Sequence, residues 1–204
     1  MTAGAGSGKG PLLLIGGTFD PPHIGHLVLA ECARAQFAAE RTVFLPAGDP
    51  WRKTGTGERT VSAAAHRLAM TRLAIEDSPA FAIDEREVER AGPSYTAETL
   101  EALHSEGETD LVLVLGADAL EDMPHWKRPE RIRELARIAV APRAGGATVG
   151  ISKAQAVLVD MPFIGISSSG IRDRVAAGKP IRYLIPAAVE AYIRQHALYR
   201  SDAG

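Results

Sequence analysis

The segment Gly16-Gly17-Thr18-Phe19-Asp20-Pro21-Pro22-His23-Ile24-Gly25-His26 follows directly on a short apolar run, 12–15, and leads into an apolar helix pattern over 27–37. It reads as a strand that ends in paired glycines, a proline stop and a helix start. Glycines let a backbone approach a ligand closely, and the first turn of a helix offers unpaired N–H groups at a positive dipole end. Two histidines three positions apart at that start share one face. The corner therefore suits a phosphate. A plainer reading has Gly-Gly make a turn, the prolines stop the strand, and the histidines cap or pack.

Outward from this corner, strand-length apolar runs recur at 12–15, 42–45, 81–83, 111–115, 138–141 and 157–159. Most have the composition of strands buried on both faces. Helix-period segments alternate with them at 27–37, 63–75, 97–104, 131–135, 170–176 and 187–196. Strand then helix, repeated, predicts an α/β fold: a doubly wound parallel sheet covered on both sides. Ligands in such folds sit at the carboxyl ends of the strands, near the switch in strand order. The expected organisation is one domain over 11–204 behind a small, Gly-rich, flexible tail at 1–10. The tail's Gly4-Ala5-Gly6-Ser7-Gly8-Lys9 is not a phosphate loop: Ala3 stands where the first glycine belongs, Gly10 follows the lysine in place of Ser or Thr, and no strand precedes it. Two further loops stand out. Residues 48–60 read as a ligand-facing flap, and the Gly-rich 143–153 as plain connection.

Composition narrows the function classes. With 46% hydrophobic and 24% charged residues the chain has the make-up of an ordinary soluble globular protein. Its 23 Lys and Arg against 25 Asp and Glu lack the basic excess that draws a protein to nucleic acid or an anionic membrane, so any polyanion needs a local site. A single cysteine, Cys32, excludes an intramolecular disulfide and a cysteine-built zinc site. No apolar run has membrane-spanning length, and no targeting segment is apparent, so the cytoplasm is expected. A metal centre on His23, His26 and Asp20 is a weaker reading than phosphate chemistry, because His66, His104, His125 and His196 are scattered elsewhere.

His23-Ile24-Gly25-His26 after a Gly-Gly strand end resembles the signature of the nucleotidyltransferase superfamily. Over its length the chain most resembles the bacterial nicotinate mononucleotide adenylyltransferases. The matching blocks include Gly92-Pro93-Ser94-Tyr95-Thr96, Gly116-Ala117-Asp118-Ala119-Leu120, Trp126, Ile166-Ser167-Ser168-Ser169-Gly170-Ile171-Arg172 and Tyr183-Leu184-Ile185-Pro186. An aminoacyl-tRNA synthetase of the same superfamily would need a longer chain and a lysine-rich second signature, where this chain carries the serine block.

The resemblance implies attack of a mononucleotide 5′-phosphate on the α-phosphorus of ATP, with pyrophosphate leaving. A phosphate monoester loses its second proton near ~6, so the nucleophile is already ionised at neutral pH and no general base is required. The site must instead supply alignment and donors aimed at the transition state. By resemblance His23 and His26 are catalytic, on the ATP phosphates, and Gly16, Gly17, Thr18, Phe19, Ser168, Ser169, Ile171 and Arg172 bind ATP. Three serines opening a helix also read as an ordinary N-cap, and both roles can hold together. Mg²⁺ is expected on the triphosphate, largely water-coordinated.

For the mononucleotide the resemblance implies Lys53 in the flap, Tyr95 and Thr96 around the nicotinate carboxylate, Asp118 on nucleotide hydroxyls, and Trp126 stacked on the pyridine ring. Trp51 departs from the family's commoner histidine in that flap. Asp118 reads equally as a helix cap, and Ser94 or Thr96 as the N-cap of the 97–104 helix. The expected partners are thus ATP and nicotinate mononucleotide, with nicotinamide mononucleotide or another phosphate acceptor as the alternative, no nucleic acid and no membrane. Homo-oligomerisation is left open, and a non-catalytic nucleotide sensor on the same fold is the rival from another class.

Overall fold

A computed structural model of the chain describes residues 10–50, 61–142 and 156–200. The described strands are β1 (Leu12–Gly17), β2 (Arg41–Pro46), β3 (Phe81–Ile83), β4 (Leu111–Leu115), β5 (Ala136–Val140) and β6 (Val157–Leu158). They form one six-stranded sheet in the order β3-β2-β1-β4-β5-β6, and every pairing is parallel. Between them run α1 (Ile24–Gln36), α2 (Ala64–Ile75), α3 (Arg86–Glu89), α4 (Thr96–Ser105), α5 (Ala117–Asp122), a 3-10 turn (Met123–His125) and α6 (Pro129–Leu135), and after β6 come α7 (Ser168–Ala176) and α8 (Ala187–Gln195).

The continuous apolar runs of β1 and β4 are explained by the two-residue period of a strand with helices on both faces. Leu12 and Leu14 enter one core with Leu111, Leu113 and Leu115, beneath α4 and α6. Leu13 and Ile15 enter the opposite core with Val112 and Val114, beneath α1 and α2. Each such fully buried side chain stabilises the fold by ~1.5–3 kcal/mol. A third core packs α2, α7 and α8 through Met70, Ile171, Ile181, Val189 and Ile193.

Burial on both faces fails at the sheet margins. Ala82 of β3 is exposed, as are Val157 and Leu158 of β6, because edge strands have neighbours on one side only. The margin at β6 is closed by a side chain of α1: Gln36 Nε2 donates to Leu158 O (3.0 Å), and Asp160 N donates to Gln36 Oε1 (2.8 Å). β5 begins at Ala136 and ends at Val140, two residues ahead of expectation at its start and one at its end. α3 and α5 have no counterpart in the periodicity. The tail motif 4–9, Trp51 and Lys53 of the flap, and the Gly-rich 143–153 lie outside the described residues.

Chain order places the site. β1, β2 and β3 run outward to one side, the chain returns to set β4 beside β1, and β5 and β6 then run to the other side. The carboxyl ends of β1 and β4 thus flank the switch point, where the loops diverge and leave a crevice.

Candidate active site

A cavity of about 800 Å³ opens at this crevice, lined by Gly16 and Gly17 at the end of β1 and Thr18 just beyond it, Gly116 and Asp118 beyond β4, and Ser167 to Ser169 with Arg172 at the start of α7. His23 and His26 also line it.

His23 is the N-cap of α1, with extended backbone, and its ring stacks on that of His26 with centroids 3.7 Å apart. Its backbone N–H donates to His26 Nδ1 at 3.1 Å. An Nδ1 that accepts carries no proton, so neutral His26 holds its proton on Nε2 as a donor. Burial draws the His23 pKa down to about 4, so this imidazole is neutral at physiological pH. Its Nδ1 is buried with no hydrogen-bond partner among the described residues.

Two glycines make this stack fit. A Cβ on Gly25 would stand 3.0 Å from His23 Nδ1, and one on Gly17 would stand 2.8 Å from the ring of Phe19. Phe19 adopts the left-handed backbone region (φ 51), and its buried ring meets the edge of His26 at 5.1 Å. Gly17 therefore makes room for the aromatic support of His26, beyond the phosphate approach expected of it.

At α7, Ser167 is the N-cap and accepts from Gly170 N (3.1 Å). Ser168 Oγ donates to Pro21 O (2.8 Å), and Ser169 Oγ lies 3.2 Å from Ser167 Oγ. Arg172 Nη1 donates to Asp20 O (2.6 Å). The serine helix is thereby stitched to the histidine loop. Ile171 is not among the cavity-lining residues: its side chain is buried in the third core, on the face it shares with Val175.

The residues expected at the mononucleotide are divided. Asp118 lies on the cavity wall, in the first turn of α5. The N-cap of that helix is Gly116, so Asp118 is not a cap. Tyr95, Thr96 and Trp126 are not among the lining residues but are gathered nearby one another: Lys127 Nζ sits 3.9 Å above the Tyr95 ring and pairs with Glu98 at 2.9 Å. Trp126 is half-buried against the first core and donates from Nε1 to Asp122 Oδ2 (3.1 Å). The N-cap of α4 is Tyr95, with no side-chain cap bond, rather than Ser94 or Thr96. Ser94 Oγ instead accepts from Gly48 N (2.9 Å) and Asp49 N (3.3 Å) beyond β2.

Three side chains that sequence reading gave no such role organise these loops. Arg67, 1% exposed, donates to the carbonyls of Ser62 (2.9 Å), Thr18 (3.0 Å), Ala47 and Gly48 (2.6 Å), joining the loops after β1 and β2 to the start of α2. Its one signal was position: it shares the buried stripe of α2 with Met70, Thr71 and Ile75. Asp20 accepts from Tyr199 OH (2.6 Å) and from Ser62 N (3.2 Å). Both of its carboxylate oxygens are thus engaged by protein donors, which speaks against the metal-ligand reading.

Residues 14–174 match the cytidylyltransferase-like family. A probable nicotinate-nucleotide adenylyltransferase of Roseiflexus sp. (strain RS-1) is 45% identical over 198 residues, covering 93% of this chain and 98% of that one. The chain belongs to the cytidylyltransferase-like family, in its nicotinate-nucleotide adenylyltransferase branch. A second adenylyltransferase relative, from Saccharopolyspora erythraea, is 42% identical over 192 residues, covering 93% of this chain and 89% of its own length. The fold is likewise that of the Plasmodium falciparum nicotinic acid mononucleotide adenylyltransferase complexed with NaAD, with TM-score 0.76 at 18% identity over 94% of this chain and 98% of that one.

Proposed function

We propose that this chain transfers the adenylyl group of ATP to nicotinate mononucleotide, giving pyrophosphate and nicotinate adenine dinucleotide, a precursor of NAD, in the cytoplasm. The observation that carries the reading is the stacked His23 and His26 pair facing the same cavity as Arg172 and the serine turn, at the β1/β4 switch point. A 5′-phosphate oxygen of the mononucleotide forms a bond to the α-phosphorus while the bond from that phosphorus to the bridging oxygen breaks. The leaving pyrophosphate takes the electron pair, and negative charge moves onto it. His26, donating from Nε2, and the Arg172 guanidinium meet that charge, and preorganised donors of this kind act most strongly in a water-poor cleft. ATP enters as its magnesium complex. Asp20 is engaged by Tyr199 and Ser62, and the magnesium would be held by phosphate oxygens and water, where it would offset triphosphate charge.

On the acceptor side, Trp126 stacks the pyridine ring, Asp118 holds nucleotide hydroxyls, and Lys53 meets the mononucleotide phosphate. The carboxylate goes to the start of α4, a ten-residue helix without a side-chain cap, whose positive end favours an anion over a neutral amide. Lys127 beside Tyr95 adds to that preference. An amide in place of the carboxylate sets NH₂ donors against N–H donors and loses a charged hydrogen bond, ~1.5–3 kcal/mol. The expected kcat/KM ratio of nicotinate to nicotinamide mononucleotide is therefore about ten- to a hundredfold, read as pyrophosphate release at saturating ATP. A ratio near one sinks the acid specificity, and no release with either acceptor sinks adenylyl transfer.

A further inference from the structure

Asp20 is 3% exposed and stands where four separated parts of the chain meet. Tyr199, beyond the end of α8, donates its hydroxyl to Oδ1 (2.6 Å), and Ser62 donates its N–H to Oδ2 (3.2 Å). Arg172 donates from Nη1 to the backbone carbonyl (2.6 Å), yet that same nitrogen is 3.9 Å from Oδ2, beyond hydrogen-bond reach. A guanidinium beside a carboxylate ordinarily closes into a short, often bidentate pair. Here each carboxylate oxygen already accepts a bond from elsewhere, and the guanidinium is fixed through one backbone contact while still lining the cavity.

We propose that Tyr199 is a positioning residue for polyphosphate: by occupying the Asp20 carboxylate it keeps the Arg172 guanidinium turned to the cavity instead of collapsed onto Asp20. This rests on reading the cavity as the ATP site. Burial, reinforced by the neighbouring Asp20 charge, raises the Tyr199 phenol far above its usual range, so it remains a donor throughout the working pH range. Without the hydroxyl, Oδ1 is a buried acceptor lacking a partner, and the Arg172 guanidinium, already 3.9 Å from the other oxygen of the same carboxylate, can swing onto it. The guanidinium then answers Asp20 at the expense of the ligand.

The test is calorimetric titration of the full chain with ATP in excess Mg²⁺, with melting temperature recorded for each variant. Tyr199→Phe is expected to raise the Kd for ATP about tenfold, the low end of one charged hydrogen bond. In an Arg172→Ala background the same change is expected to shift Kd less than about twofold, because the two residues act through one contact. Adding Asp20→Asn to Tyr199→Phe is expected to restore Kd to within about threefold of wild type, since the competing charge is gone. A merely structural latch predicts the reverse: a lowered melting temperature, losses that multiply with Arg172→Ala, and a further loss on adding Asp20→Asn. Either that pattern or an unchanged Kd for Tyr199→Phe overturns the proposal. If Tyr199→Phe does not fold, Asp20→Asn alone decides it, with equal or tighter ATP binding expected and weakening beyond about tenfold refuting. Wild-type protein that binds ATP but releases no pyrophosphate with nicotinate mononucleotide refutes the catalytic reading and leaves this comparison intact.

Discussion

Lowering the pH should destabilise the protein through His23, by an amount the structure sets. In the unfolded chain this imidazole titrates near 6.5, whereas burial draws it to about 4 in the fold. Between those values the unfolded state binds a proton that the folded state does not, so stability rises with pH across the window. The contribution is fully present above 6.5 and is lost as the pH falls towards 4. A gap of about 2.5 pH units, at ~1.4 kcal/mol each, amounts to about 3.5 kcal/mol. The assay is urea unfolding of wild type and His23→Gln from pH 7.5 to 4.5, where the other titrating groups cancel in the difference. Wild type should lose ~2–3 kcal/mol more than the variant on acidification. Parallel pH profiles, or a His23 ring that titrates above pH 6 by NMR in the absence of ligand, would refute the buried-neutral reading. Bound triphosphate supplies opposite charge and should flatten the wild-type profile.

Other outcomes follow from the same geometry. His26→Ala should lower kcat by about 10²- to 10³-fold with the fold intact by circular dichroism, and retention of more than about a third of turnover removes it as a transition-state donor. Trp126→Ala should raise KM for the mononucleotide by roughly ten- to a hundredfold while KM for ATP changes far less. Equal losses for both substrates would leave Trp126 a packing role, consistent with its bond to Asp122. Arg67→Met keeps the length and apolar stem but leaves buried carbonyls unpaired, so it should cost at least ~3 kcal/mol in urea unfolding. A loss below about 1 kcal/mol would show that water replaces the guanidinium freely.

The sheet was legible because β1 and β4 carry short runs of successive apolar residues alternating with helix-period segments, which suits strands covered on both faces. The histidine corner was legible because its residues are contiguous. Helices of four and six residues, α3 and α5, are too short to show a period, so they escaped notice. Ser94 was misassigned for a different reason. A serine near a helix start satisfies the capping rule locally, but its hydroxyl is taken by Gly48 and Asp49, 46 and 45 positions away. Asp20 is the extreme case, since its partner Tyr199 lies 179 positions off and no local pattern announces the pair. What the sequence carried was periodicity and contiguous chemistry; what it withheld was long-range polar pairing.

Gln36 bears on how the sheet ends. In a parallel ladder one residue of the added strand donates to a carbonyl and accepts from the amide two residues further on. The single side-chain amide of Gln36 does both, with Leu158 O and Asp160 N. It is a one-residue counterfeit of the next strand, delivered from a helix and therefore unable to propagate. Another chain can add to this margin only by first displacing an intramolecular partner held at high effective concentration. A glutamate there could still accept from Asp160 but would turn an oxygen towards the Leu158 carbonyl, so the amide is what this termination needs.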